Sequence, residues 1–188
     1  MISLNDIPPY IGNAEHEVSV AGWSLQNFID DQAKAEGLDL DPDFQRGHVW
    51  TKENQTRYLQ HLLRGGRSSR TIIWNCPGYN PHAGENIDAP EEMVIVDGKQ
   101  RLTAVLAFLN NEVPVFGGHY FRDFSEEDQR RISSPTGQLR MTMQIHALKS
   151  RAEILQLYIE LNEGAVAHTP EEIARVKGLL DEARQKAS

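Results

Sequence analysis

Cysteine is nearly absent from this chain: Cys76 is the only one in 188 residues. That excludes an intramolecular disulfide and a cysteine-rich zinc site, and leaves Cys76 as a buried or half-exposed structural thiol. Long apolar runs are missing too, with none approaching the roughly 20 residues that cross a bilayer. The opening Met1-Ile2-Ser3-Leu4-Asn5-Asp6 has neither the basic start nor the apolar stretch of a signal peptide, so the expectation is a cytoplasmic chain with no membrane partner. Positive charge is scarce: 19 Lys and Arg stand against 27 Asp and Glu, and the net charge of −8 argues against a dedicated DNA-coating protein. No GxxxxGK[ST], HExxH or GxSxG pattern occurs, and the seven histidines are scattered, which disfavours P-loop, zinc-hydrolase and serine-hydrolase chemistry.

The remaining composition is that of a globular protein, with 39% hydrophobic and 24% charged residues. The length suits one domain, with a core over about 24–165 and a C-terminal helix over about 169–186. After an irregular start, Ser24 reads as the N-cap of a helix over Leu25 to Ala35 stopped by Gly37. Leu38 to Trp50, holding Pro42 and Gly47, reads as extended and irregular. Thr51 caps a helix to about Leu63, with Tyr58, Leu59, Leu62 and Leu63 facing inward and Gly65-Gly66 ending it. Arg70 to Asn75 reads as a buried strand, and Cys76 to Glu92 as a long loop.

Further on, Glu112 to Phe116 reads as a strand, Gly117-Gly118 as a turn and His119 to Arg122 as a partner strand. Ser125 starts a short helix that Ser133 to Gly137 breaks. From Gln138 to Leu148, Met141, Met143 and Ile145 alternate with Thr142, Gln144 and His146, the period of a half-buried strand. Ser150 and Glu153 form a capping box for the next helix, and Thr169, Pro170 and Glu172 open another. This mixed order predicts an α+β domain with a small mixed sheet flanked by helices and a helical C-terminal segment.

The densest signal is Val94-Ile95-Val96-Asp97-Gly98-Lys99-Gln100-Arg101-Leu102. A short apolar strand stops at an acid and a glycine, and Leu102, Val105, Leu106 and Leu109 then recur at helical spacing. Unpaired N–H groups and partial positive charge at a helix start favour an anion, and Lys99 and Arg101 add full charges. Gly98 permits a tight turn and close approach of a ligand. The same residues also serve an ordinary strand-to-helix turn with Asp97 as N-cap.

Asp97 to Arg101 is similar to the DGQQR motif of ParB/sulfiredoxin-like domains in GmrSD-type modification-dependent restriction and phage-defence proteins, with Lys99 standing where that pattern has its first glutamine. Two flanking segments strengthen the resemblance: Leu40 to Trp50, containing Phe44-Gln45-Arg46, and Tyr158 to Gly164 with its Asn162, followed by Thr169 to Ile173. The resemblance implies a ParB/sulfiredoxin-like fold and hydrolysis of a nucleoside triphosphate (ATP, GTP or CTP) with Mg2+, regulating or powering a partner nuclease or other protein subunit. On that reading Asp97 orients metal or water, Gln100 positions the attacking water, and Lys99 and Arg101 stabilise transition-state charge. Arg46 supplies a second cation for phosphate, Gln45 bonds a base, ribose or water, and Asn162, placed in a loop, orients a ribose or metal-bound water. Sulfiredoxin's catalytic cysteine is missing from this motif, and the chain reaches Ser188 without room for an HNH-like nuclease. A phosphotransferase on the same fold and a non-catalytic nucleotide- or DNA-sensing module are the alternatives.

Between Asn54 and His82 no acid occurs, while Arg57, Arg64, Arg67 and Arg70 do. Arg57 and Arg64 lie seven apart, nearly on one helix face, with His61 between them. That stripe is the candidate contact for a nucleic-acid backbone.

Overall fold

Four short strands form the sheet on which the helices pack. The computed structural model describes residues 13–36, 38–45, 49–77, 93–163 and 170–186. Within them the chain runs β1 (His16–Val20), α1 (Gly22–Glu36), α2 (Lys52–Leu63), β2 (Thr71–Asn75), β3 (Val94–Asp97) and α3 (Lys99–Leu109). A 3-10 turn at Phe121–Asp123 then precedes α4 (Glu126–Ser133), β4 (Met141–His146), α5 (Arg151–Glu163) and α6 (Pro170–Lys186). The strand order is β1-β4-β2-β3. β4 runs antiparallel to β1 and parallel to β2, and β2 runs antiparallel to β3, so the sheet is mixed and the fold is α+β.

Period-two patterning decides which side chains meet which layer. Ile72 and Trp74 of β2, Ile95 of β3, and Met141, Met143 and Ile145 of β4 share a core with Leu25, Ile29, Leu59, Leu62, Leu102 and Phe108 from α1, α2 and α3. Ile73, Val94 and Val96 point the other way, into a second core with Phe44 and with Ile154, Leu157, Tyr158, Val176 and Leu180 of α5 and α6. β3 is thus covered on both faces, which is why Val94-Ile95-Val96 is a continuous apolar run instead of an alternating one. Cys76 is buried, as a structural thiol should be.

Local capping signals are realised. The Thr51 hydroxyl accepts from the Asn54 N–H at 3.2 Å, and that of Ser125 accepts from Asp128 at 3.1 Å. Ser150 and Glu153 cap each other, at 3.1 and 3.3 Å. Elsewhere the structure corrects the expectation. β1 falls in the stretch read as irregular, and α1 begins at Gly22, so Ser24 lies in its first turn and donates to the Ala21 carbonyl at 3.1 Å. The hairpin expected over Glu112 to Arg122 reduces to one bridge, Val115 to His119. Asn111 and Phe116 at φ of 62° and 45° break extended geometry on either side of Pro114, leaving no room for a ladder. Asn162 belongs to the last turn of α5, not to a loop. Gly37, Thr169 and most of the Cys76 to Glu92 loop lie outside the described residues.

The junction between β3 and α3 is made by Gly98, at φ +97°. A Cβ built there would lie 2.7 Å from Ile72 Cδ1 and 3.1 Å from both Ile72 Cα and the Thr71 carbonyl oxygen. Both the left-handed backbone and the contact with β2 demand glycine. Gly98→Ala should therefore lower stability by about 2–4 kcal/mol in urea unfolding. Gly178→Ala, in α6 with nothing within 4 Å of the new methyl, should instead raise it by about 0.5–1 kcal/mol. Equal responses at the two glycines would remove the close-approach argument.

Candidate functional site

A cleft of about 530 Å³ opens at this junction. Its floor is Val96, Asp97 and Gly98, one wall is the first turn of α3, and the others come from Gln45, Val49 and Trp50, from Tyr58 of α2 with Ser69, and from Tyr158 and Asn162 of α5. Gln45, Asp97, Gly98, Lys99, Gln100, Arg101 and Asn162, all singled out in the sequence, are brought to this one site. Arg46 lies outside the described residues.

Each side chain is held by a particular partner. Asp97 does not cap the helix; Gly98 is the N-cap residue, without a side-chain cap bond. The Asp97 carboxylate instead forms an ion pair with Arg101 one turn later. Arg101 is mostly buried, and its Nε has no hydrogen-bond partner. A buried guanidinium N–H without an acceptor is costly, and an oxyanion would satisfy it. Lys99, largely buried, pairs with Asp41, whose carboxylate is 73% exposed. The Gln100 amide oxygen accepts from the backbone N–H groups of Val49 and Trp50, at 3.2 and 3.1 Å. It thereby ties the upstream segment to the start of α3.

Gln45 and Asn162 also have internal partners. The Gln45 amide nitrogen donates to the Ile95 carbonyl, and that of Asn162 donates to the Tyr158 carbonyl at 2.6 Å. The Gln45 segment is anchored from below. Arg175 donates to the Asp43 and Phe44 carbonyls at 2.9 and 2.8 Å, Arg151 pairs with Asp43 at 2.5 Å, and the buried Phe44 ring meets Tyr158 edge-on at 5.2 Å.

Sequence reasoning missed the aromatic wall. Trp50 meets Tyr58 edge-on at 5.3 Å, and the Tyr58 hydroxyl donates to the Ser69 carbonyl at 2.8 Å. A tyrosine on the apolar face of a helix reads as core, and Tyr58 is core as well as lining. Burial pushes its phenol up to about 12, against the pull of the Arg101 and Arg70 charges.

The arginines of the acid-free segment separate into different roles. Arg57 is exposed and pairs with Glu53 at 3.1 Å. Arg70 donates from Nε and Nη2 to the Gly66 carbonyl and from Nη1 to that of Arg140, and burial lowers its pKa. Arg64 lies over the Phe116 ring, 5.4 Å from its centroid. Arg67 is exposed, and His61 bonds Ser68 at 3.0 Å. Among the described residues no group of three or more His, Cys, Asp or Glu side chains could hold a metal ion, and no helix is long and apolar enough to cross a membrane.

Residues 25–140 match the family model described as GmrSD restriction endonuclease, N-terminal domain. No curated protein and no solved structure matches the chain. The matched stretch holds the Gln45 to Trp50 segment, Tyr58 and the whole strand-to-helix junction. Tyr158 and Asn162 join the cleft from beyond it.

The Tyr58 phenol sets an alkaline limit on stability. Its pKa is higher folded than unfolded, so its contribution is complete below pH 10 and declines as pH rises towards 12, where the unfolded chain alone gains by ionising. Urea unfolding of wild type and Tyr58→Phe should show the wild-type advantage shrinking by roughly 2–3 kcal/mol across that interval. Parallel pH profiles would mean that the phenol is not buried.

Proposed function

The chain belongs to the family of GmrSD restriction endonuclease N-terminal domains, and from that membership we propose that it is the nucleotide-binding, and Mg-dependent nucleoside triphosphate-hydrolysing, module of a restriction or phage-defence system. The observation that carries the reading is Arg101, mostly buried in the cleft wall, paired on one side with Asp97 and left with an Nε lacking any acceptor. Nε and Nη2 lie on one edge of the guanidinium, so a phosphate that displaces Asp97 accepts from both in a fork. Lys99, the uncapped N–H groups of α3 and its helix dipole add to the same anion site.

Phosphate exchanges partners within the cleft. It takes Arg101 from Asp97 and Lys99 from Asp41, which frees two carboxylates beside itself. Magnesium commonly keeps one or two carboxylates together with phosphate oxygens, so Asp97 and Asp41 suit it as donors, and when bound it supplies neutralisation of charge on the transferring group. Arg101 and Lys99 stabilise the same charge from the opposite side. The amide oxygen of Gln100 is engaged by Val49 and Trp50, so Gln100 serves as the tether that brings the Trp50 wall to the phosphates. Trp50 and Tyr58 offer ring surface to a base, and Asn162 an amide to a ribose.

A nucleoside triphosphate should raise the melting temperature, with about 2.7 kcal/mol of stabilisation at a hundredfold excess over Kd. Arg101→Ala should remove most of that shift. Asp41→Asn should lower the ligand-free melt slightly, by leaving Lys99 without its counter-charge, yet tighten magnesium-free nucleotide binding severalfold by releasing that lysine. Asp97→Asn should depress magnesium-dependent phosphate release far more than binding. No shift with ATP, GTP or CTP at millimolar concentration would dispose of the binding site. Binding without turnover at any magnesium level would select a sensing module, and turnover only with an added acceptor a phosphotransferase.

A further inference from the structure

Phe116 sits where a large apolar side chain is least expected. Among the described residues it is one of three exposed large hydrophobic side chains, at 38%, and its φ is +45°, a left-handed conformation that disfavours bulky side chains by about 1–2 kcal/mol. More than a third of the residue still faces solvent. The turn is nonetheless held in place on every side. Val115, 1% exposed, plugs it into the core, Val115 and His119 exchange backbone bonds at 2.7 and 2.9 Å, and Thr56 of α2 donates to the Pro114 carbonyl at 2.9 Å. The Arg122 N–H is fixed on the Asn111 side-chain oxygen at 2.7 Å. A rigid scaffold keeps a strained aromatic ring at the surface, a pattern found at ligand-contacting positions.

The charges around it are arranged unusually for so acidic a chain. The exposed Arg57, Arg130 and Arg131 are each paired with a carboxylate. Arg64 and Arg122 instead lie over aromatic rings, at 5.4 Å from Phe116 and 5.1 Å from Tyr120, with no carboxylate partner among the described residues. A guanidinium that lies over a ring, with no carboxylate on its N–H groups, still has donors to offer a phosphate. Phe116, 38% exposed, lies beside one such cation, and the half-buried Tyr120 lies beside another four residues on. Flat aromatic surface interleaved with unpaired guanidinium groups matches the alternating base and phosphate of an unpaired strand, whose base faces are free to stack. A duplex, with its bases stacked inside, offers the rings nothing. Glu112 and Asp123 flank the turn, so the attraction is modest and stacking carries much of it.

We propose that the Phe116 turn, with Arg64 and Arg122, is a binding surface for single-stranded nucleic acid, separate from the nucleotide cleft. Fluorescence anisotropy of the full chain with a short labelled oligothymidine at low salt, beside a hairpin duplex of equal length, tests it. Wild type should bind the single strand and prefer it to the duplex. Phe116→Gly removes the ring's partial packing and relieves the strained backbone, two effects that oppose each other, so the variant should melt close to wild type yet bind roughly tenfold more weakly. Arg64→Ala and Arg122→Ala should each flatten the slope of log affinity against log salt by about 0.7, while Arg57→Ala leaves it unchanged. Absence of single-strand binding, equal or tighter duplex binding, or full affinity in Phe116→Gly would each overturn the proposal. The thermal shift with nucleoside triphosphate should be identical in Phe116→Gly, so loss of one activity does not report on the other.

Discussion

The contact between Gly98 and β2 is the constraint on which the site depends. At the end of β3 the chain must reverse into α3 while lying against Ile72 and Thr71, and only a residue without a side chain permits the helix to begin there. Because it begins there, its uncapped N–H groups and its first-turn cations open onto the cleft and not onto solvent. Ile72 in turn is fixed by its place in the sheet, opposite Met143 of the neighbouring strand. The start of α3 is therefore registered to the hydrophobic core through one backbone contact, with no flexible connector in between.

The opposite wall is registered differently, through polar ties. Gln45 reaches back to the Ile95 carbonyl, Gln100 collects the N–H groups of Val49 and Trp50, and Arg175 holds the carbonyls of Asp43 and Phe44. The upstream segment is thus bound to β3, to α3 and to α6 at once. Its backbone has little secondary structure of its own, and these side chains take the place of a ladder. In the same way the two cations of the junction are neutralised by Asp97 and Asp41, so the cleft is self-complementary in charge.

Features set by neighbours in the chain were legible in the sequence. The β3 run, the alternation of β4, the caps at Thr51 and Ser125 and the box at Ser150 and Glu153 all rest on contacts within four residues. What escaped rests on longer range or on backbone conformation. Asp41 meets Lys99 across 58 positions and Gln45 meets Ile95 across 50, and no local pattern announces either. The Glu112 to Arg122 region has the composition of a hairpin, yet Asn111 and Phe116 adopt left-handed conformations that composition does not reveal. α5 continues through Asn162, which places that amide in the cleft wall. Tyr58 was legible as core but not as lining, since one ring does both.

The position of β4 has a kinetic consequence. The strand between β1 and β2 is the last of the four to be made, and Gln144 finds Glu17 across 127 residues. Until that strand docks, β1 has no neighbour in the sheet and β2 lacks one of its two, so long loops must close before their contacts stabilise anything. During synthesis the nascent β2–β3 pair therefore waits with one edge open, and an unpaired edge of that kind is a template for another chain. Ordering of the cleft is deferred until translation has passed β4 and α5, which makes this a domain whose strand-to-helix junction emerges early and whose structural keystone emerges late.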